Sequence, residues 1–287
     1  MKLFFKYCLC LLLISTEKLL AEEQNDTPVF SVNLSLGVDS DNDKNQHFHF
    51  FLELPGQHQL SMGYGKSISN IELLNTTQQF ISIATNPYET FSIGVDYSFW
   101  GKEKSLETRS LRNDLYLNLD YWSFSLSPQL NVVTFYGLNG TSKFDLYARA
   151  ATVTATYYGF ENLFLGVDYY NNRFADDPFF FENQVPVSVV AQRLSTSAQL
   201  LMTSLERYRG GISVGYFFSW GSMELDWNQS NAWFINSRSY TTSLIIDYQL
   251  NKNLAFNLIL SNQRSKADAD LVSNDLNSLD IGMSIYW

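Results

Sequence analysis

Apolar and polar residues alternate along most of this chain. After Phe30, the apolar positions are Val32, Leu34, Leu36 and Val38, with Ser31, Asn33, Ser35 and Gly37 between them. The same beat returns at Phe48-x-Phe50-x-Leu52-x-Leu54, at Phe91 to Phe99 and at Leu115 to Tyr121. It recurs at Ile212 to Phe218, Leu244 to Leu250 and Leu254 to Leu260, and the chain ends on it at Leu279 to Trp287. A period of two marks strands with two unlike faces.

Two kinds of connection separate these runs. Short ones carry turn residues: Pro55-Gly56, Asn86-Pro87, Tyr121 to Ser123, Gly159 to Asn162, Trp220-Gly221 and Asn251 to Asn253. Longer polar ones lie between them: 39–45, 67–76, 101–110, 137–142, 171–207, 229–237 and 264–274. Segregation of loop length by parity suits an up-and-down barrel whose two ends face different surroundings. The pattern predicts fourteen antiparallel strands, with twelve or sixteen as the alternatives. They run roughly 29–38, 46–54, 58–67, 77–85, 89–99, 111–120, 123–136, 143–156, 163–171, 208–219, 222–229, 238–250, 254–263 and 277–287. Ser195 to Arg207 reads as a helix instead. Leu201 and Leu205 stand four apart, and Ser195 suits an N-cap. A helix there, inside a long loop over about 172–207, preserves the short-long parity.

The polar face decides which way the barrel is turned. It carries Asp96, Arg112, Asp114, Asp120, Arg149, Asp168, Glu224, Asp226, Asp247 and Asp280. Sealing so many carboxylates in a dry core costs several kcal/mol each unless they are paired, and there are too few cations among them to pair. A water-filled lumen removes that cost, with the apolar face outward against lipid. No stretch after the N-terminal region is long and apolar enough for a spanning helix, so a membrane form of this chain must be a closed barrel. Aromatic residues make up 16% of the chain. Phe99-Trp100, Tyr121-Trp122, Tyr157-Tyr158, Phe218 with Trp220, and Trp227 stand near expected strand ends, where interfacial girdles lie.

The N-terminus has a separate logic. Lys2 and Lys6 precede a short apolar run through Cys8, Cys10 and Ile14, and Ala21 precedes Glu22-Glu23. That order predicts a secretory signal peptide over 1–21, with the barrel over 22–287. Both cysteines fall inside it, so the remainder has none and depends on its backbone ladder. The formal charge is −10. Lys2, Lys6 and Lys18 against Glu17 give the leader a net +2, so the remainder carries −12. That balance excludes nucleic acid as a partner.

The last nine residues carry the sharpest motif. Leu279, Ile281, Met283 and Ile285 alternate with polar or small residues up to the terminal Trp287. This segment resembles the C-terminal targeting strand of bacterial outer-membrane β-barrels, with Trp in place of the more usual Phe. Length and strand count are similar to monomeric porins. The resemblance implies export through the periplasm, insertion by the outer-membrane assembly machinery and periplasmic termini in a Gram-negative cell. Outer-membrane lipid and lipopolysaccharide are then its surroundings.

Candidate chemistry is sparse. His47 and His49 share one face of a hairpin, and His58 follows its turn. Three such histidines fit either a metal site or polar lumen positions. Asp39, Asp41 and Asp43 begin like a calcium loop, but Lys44 and Phe50 stand where glycine and glutamate are required. No serine is placed beside a histidine in a hydrolase motif. The chain is therefore expected to be no enzyme and to need no cofactor or metal. The acid-lined lumen is the strongest lead, because such a lining attracts cations. A backbone diameter of roughly 25–30 Å leaves room for water. The expected function is passive passage of small solutes with mild cation preference. The alternatives are a closed barrel acting as a lipid-modifying or metal-dependent enzyme, and a structural or surface-interaction protein.

Overall fold

The computed structural model describes residues 29–55, 57–68, 75–88, 90–102, 106–136, 143–175, 206–232, 237–267 and 274–287. The proposed leader therefore lies outside the described residues, as does most of the 172–207 segment. The described part forms fourteen strands: β1 (Val29–Asp39), β2 (Lys44–Leu54), β3 (His58–Ile68), β4 (Thr76–Tyr88), β5 (Phe91–Lys102), β6 (Leu106–Leu119) and β7 (Trp122–Tyr136). They continue with β8 (Lys143–Phe160), β9 (Leu163–Phe174), β10 (Glu206–Phe218), β11 (Gly221–Ala232), β12 (Ser237–Asn251), β13 (Leu254–Ala267) and β14 (Asn274–Tyr286). Each pairs antiparallel with its sequence neighbours, and β1 pairs with β14 to close the barrel. At the seam, Phe30 N–H donates to Trp287 O at 3.3 Å and Trp287 N–H donates to Phe30 O at 2.9 Å.

Both termini of the described barrel share one end with the short turns. Gln57, Asp120 and Asn162 take positive φ there, and Gly221 does so just inside β11. Register shifts at Thr85/Tyr88, Tyr157/Phe160 and Gln249/Asn251 gather at this rim as well, where bulges let a ladder end. The first of these carries β4 through Asn86-Pro87 to Tyr88, past the turn expected there.

At the other end the strands outrun the sequence reading. β5 continues to Lys102 and β6 begins at Leu106, so 101–102 and 106–110, expected as loop, are strand. β11 and β13 likewise extend to Ala232 and Ala267, beyond the expected ends at 229 and 263. These stretches are polar on both faces, so alternation cannot reveal them. They keep their ladder bonds because the walls of the barrel continue past the apolar zone. β10 starts at Glu206, so Glu206 and Arg207 are strand and not the end of a helix. The rest of the expected helix lies outside the described residues.

The strands are tilted, so a path perpendicular to them climbs. One outward row passes Val32, Phe50, Met62, Ile81, Tyr97, Leu111 and Leu130, then ends on Arg149 and Arg173. With strands ~4.8 Å apart and tilted about 35–45°, each step gains about 3 Å toward the long-loop end. Once this climb is allowed for, the outward face is a continuous apolar band with a polar collar above it. Leu36 is 64% exposed, Ile212 58% and Val167 55%. An exposed apolar surface that circles the molecule belongs in lipid, and closure leaves no unpaired edge there. Rings at the short-turn end meet along the band's lower border: Trp122 lies tilted against Tyr157 at 4.8 Å, and Phe218 stacks on Trp220 at 4.7 Å. Trp227 and Tyr240 meet at 6.3 Å near the upper border. Trp100 departs from the expected girdle, because the register turns it inward, where it is buried.

Candidate pore lining

The register places Asp96, Arg112, Asp114, Asp168, Glu224, Asp226, Asp247 and Asp280 on the inner face, opposite in parity to the exposed apolar set. Asp96, Asp114, Asp168, Asp226 and Asp280 each lie near the middle of their strands, so they fall at about the same depth. Glu224 and Asp247 sit nearer the short-turn end.

Two groups of charges are tied. On β6, Arg112 Nε lies 3.0 and 3.1 Å from the two oxygens of Asp114. Ser127 on β7 donates to Asp114 Oδ1 at 2.5 Å, and Asp96 is the cross-strand neighbour of Arg112. On β10, Arg209 stands between Asp168 (3.7 Å) and Glu206 (3.8 Å), with its guanidinium 5.8 Å from the Tyr170 ring. Glu224 and Asp226 follow on β11. Asp247 accepts hydrogen bonds from Ser222 at 3.2 Å and Asn257 at 2.7 Å. Asp280 lies over Gly37, and a Cβ at that glycine would collide with Asp280 Oδ1.

Other inward glycines serve the same purpose. Phe80 occupies the space that a side chain on Gly63 would need, His47 that of Gly65 and Phe164 that of Gly215. Each lets a larger neighbour lie along the wall and not across the lumen.

Three expectations for the lining are corrected by the register. Arg149 points outward: it pairs with Leu130 on one side and Arg173 on the other, in the exposed row described above. Asp120 belongs to the β6–β7 turn, at φ 43°, and is exposed at the rim, so it forms no wall pair with Asp114. His58 takes outward parity beside Leu54, away from the inward Glu53. His47 and His49 do face inward. His49 packs on Phe80 at 5.2 Å, and its Nε2 has no hydrogen-bond partner. Among the described residues no three potential ligands converge on a metal position. Asp39 serves its own turn: its Oδ1 accepts the N–H groups of Asp41 and Asp43, both at 3.0 Å.

One sector of the lining escaped sequence reasoning. Toward the long-loop end, β5 to β9 turn Trp100, Val133, Phe135, Leu146, Ala148 and Tyr170 inward, all 4% exposed or less. Asn131 and Asn172 lie among them, equally buried. This wall is dry, whereas the acidic belt lies below it. Above the membrane zone apolar residues face inward, so the rule that polar residues face the lumen reverses. A count of parity upward from the unambiguous Val153 and Tyr157 would have placed both this wall and Arg149.

No protein-family model matches the sequence, and no curated protein resembles it. Solved structures do. CymD, a monoaromatic hydrocarbon channel, is 8% identical with a TM-score of 0.51, over 92% of this chain and 89% of that one. The NanC porin is 9% identical with a TM-score of 0.49, over 88% and 98%. An anion-selective porin from Comamonas acidovorans is 11% identical with a TM-score of 0.48, over 91% and 99%. The fold resembles that of the CymD channel. At such identities the likeness extends to architecture alone.

Proposed function

We propose that this protein is an outer-membrane pore for passive passage of small solutes, with a preference for cations. The observation that carries the reading is the imbalance of charge on the inner face. Arg112 and Arg209 are each already engaged by carboxylates, while Glu224, Asp226, Asp247 and Asp280 have no cationic partner among the described residues. A wet, acid-lined passage raises the local concentration of cations and repels anions. Long loops then face the outside and the short turns the periplasm. The leader over 1–21 directs export, and the strand ending in Trp287 is the signal to the assembly machinery. The mass of the chain isolated from membranes tests the cleavage.

Single-channel recording in a planar bilayer under a salt gradient tests the pore. Stable current steps with a cation-selective reversal potential are expected. Replacing Glu224, Asp226 and Asp280 together with their amides should move that potential several millivolts or more toward the anion side. Anion selectivity in the unmodified protein defeats the reading.

A second reading is favoured by the dry wall. A lumen closed near its outer mouth makes the barrel a structural or surface protein, and the same recording then gives no current.

A further inference from the structure

The outward face carries a charge pattern that a pore does not require. Arg149 on β8 and Arg173 on β9 are direct cross-strand partners, both exposed, at the upper border of the apolar band. Like charges directly opposite one another on a sheet repel. Neither arginine has a carboxylate partner among the described residues. Their outward neighbours along the strands are Tyr147 and Asn171, and below Asn171 stands the exposed Tyr169. Arg109, Arg238 and Arg264 also point outward at about this level, as do Lys44 and Lys66. Arg109 and Arg264 are partly satisfied by Glu107 (3.0 Å) and Asp275 (3.7 Å). In the Arg149–Arg173 pair two arginines stand directly opposite one another on adjacent strands, and neither is ion-paired to an acid among the described residues.

An anion placed between the two removes their repulsion. The level of the pair selects which anion. Below it lies hydrocarbon and above it water, so the groups that meet it are lipid headgroups. Two planar forks match the oxygens of a phosphate, which accepts paired hydrogen bonds from each. Tyrosines at the same border provide an amphipathic flank for the sugar or glycerol that bears it. We propose that Arg149 and Arg173 form a binding site for the phosphate of an anionic lipid in the outer leaflet. The proposal rests on the outer-membrane placement but not on conduction through the lumen.

The test uses the full barrel, refolded in neutral detergent and exposed to diphosphorylated lipid A, to its dephosphorylated form and to inorganic phosphate, with retention read by native mass spectrometry. The site predicts stoichiometric retention of the phosphorylated lipid and little of the dephosphorylated one. Arg149→Gln/Arg173→Gln should weaken retention roughly tenfold, the loss of a charge-assisted pair. Arg149→Lys/Arg173→Lys should fall between, because charge remains but the fork is gone. Heat-modified gel mobility establishes that each variant has folded. Equal retention by the unmodified protein and the Gln variant overturns the site, as does equal retention of both lipids. Binding of inorganic phosphate without retention of the lipid overturns the lipid assignment. Conductance recorded on the same preparations separates the two ideas: a barrel without current that still discriminates the lipids sinks the pore and leaves this site standing.

Discussion

At the residue scale, the lumen is shaped as much by what is missing as by what is present. Gly63 has no side chain, and Phe80 fills its place: an ideal Cβ there would collide with the Phe80 ring. Gly63→Val must push that ring off the wall, at a cost of about 1–3 kcal/mol for overpacking. A ring pushed toward the lumen narrows it, so single-channel conductance should fall while the barrel still folds; unchanged conductance would mean that the ring finds another place along the wall. The same scale explains two errors of sequence reading. Asp120 has the parity of Asp114 but sits in a two-residue turn with positive φ, and alternation contains no mark of where a strand stops. Arg149 lies in a strand whose two faces exchange character along its length. Val153 and Tyr157 point out near the turn, whereas Leu146 and Ala148 point in near the loops.

At the element scale, the ladder extends beyond the membrane zone. Thr108, Arg109 and Ser110 fall in β6, paired with Trp100, Phe99 and Ser98 of β5 and with β7 on the other side. Ser110 also donates to Asn131 Oδ1 at 2.7 Å. Their amides should therefore exchange with solvent as slowly as those at mid-strand. Fast exchange, resolved by mass spectrometry of peptides spanning 106–111, would return this stretch to a loop. Strand existence was legible from the period of two, and short turns from Gly, Pro and Asn except at Asn86-Pro87, through which β4 runs. Strand ends at the loop side were not, because polar residues on both faces of a solvated ladder look like loop residues.

At the scale of the whole molecule, closure is the feature that sequence neighbours cannot supply. β1 and β14 lie at opposite ends of the barrel sequence, yet Ser35 faces Gly282 and Leu36 faces Ile281. A Cβ built on Gly282 would stand 3.5 Å from that of Ser35, within the span of a disulfide. Ser35→Cys/Gly282→Cys, in a chain whose only cysteines lie at positions 8 and 10, should oxidise to one intramolecular bond that alters mobility on a non-reducing gel. A folded double variant that stays reduced under oxidant would contradict the seam. The balance of charge in the lumen also belongs to this scale. The carboxylates of β5, β6, β9, β11 and β14 come to a common depth only when the sheet is rolled, whereas Arg112 and Arg209 are engaged by acids on their own or the adjacent strand.

The sequence by itself determined the strands, their number, the inversion of polar and apolar faces and the acidic character of the lumen. Those properties are written locally, in a period of two and in residue types that tolerate only one of water or lipid. Tertiary structure decided the rest. Tilt and register assigned Arg149 and Arg173 to the outer collar, and placed a buried, largely apolar wall above the acidic belt. They also set Arg209 of β10 beside Asp168 of β9. Each of these depends on which residues of neighbouring strands stand side by side, and that is fixed by closure of the whole barrel.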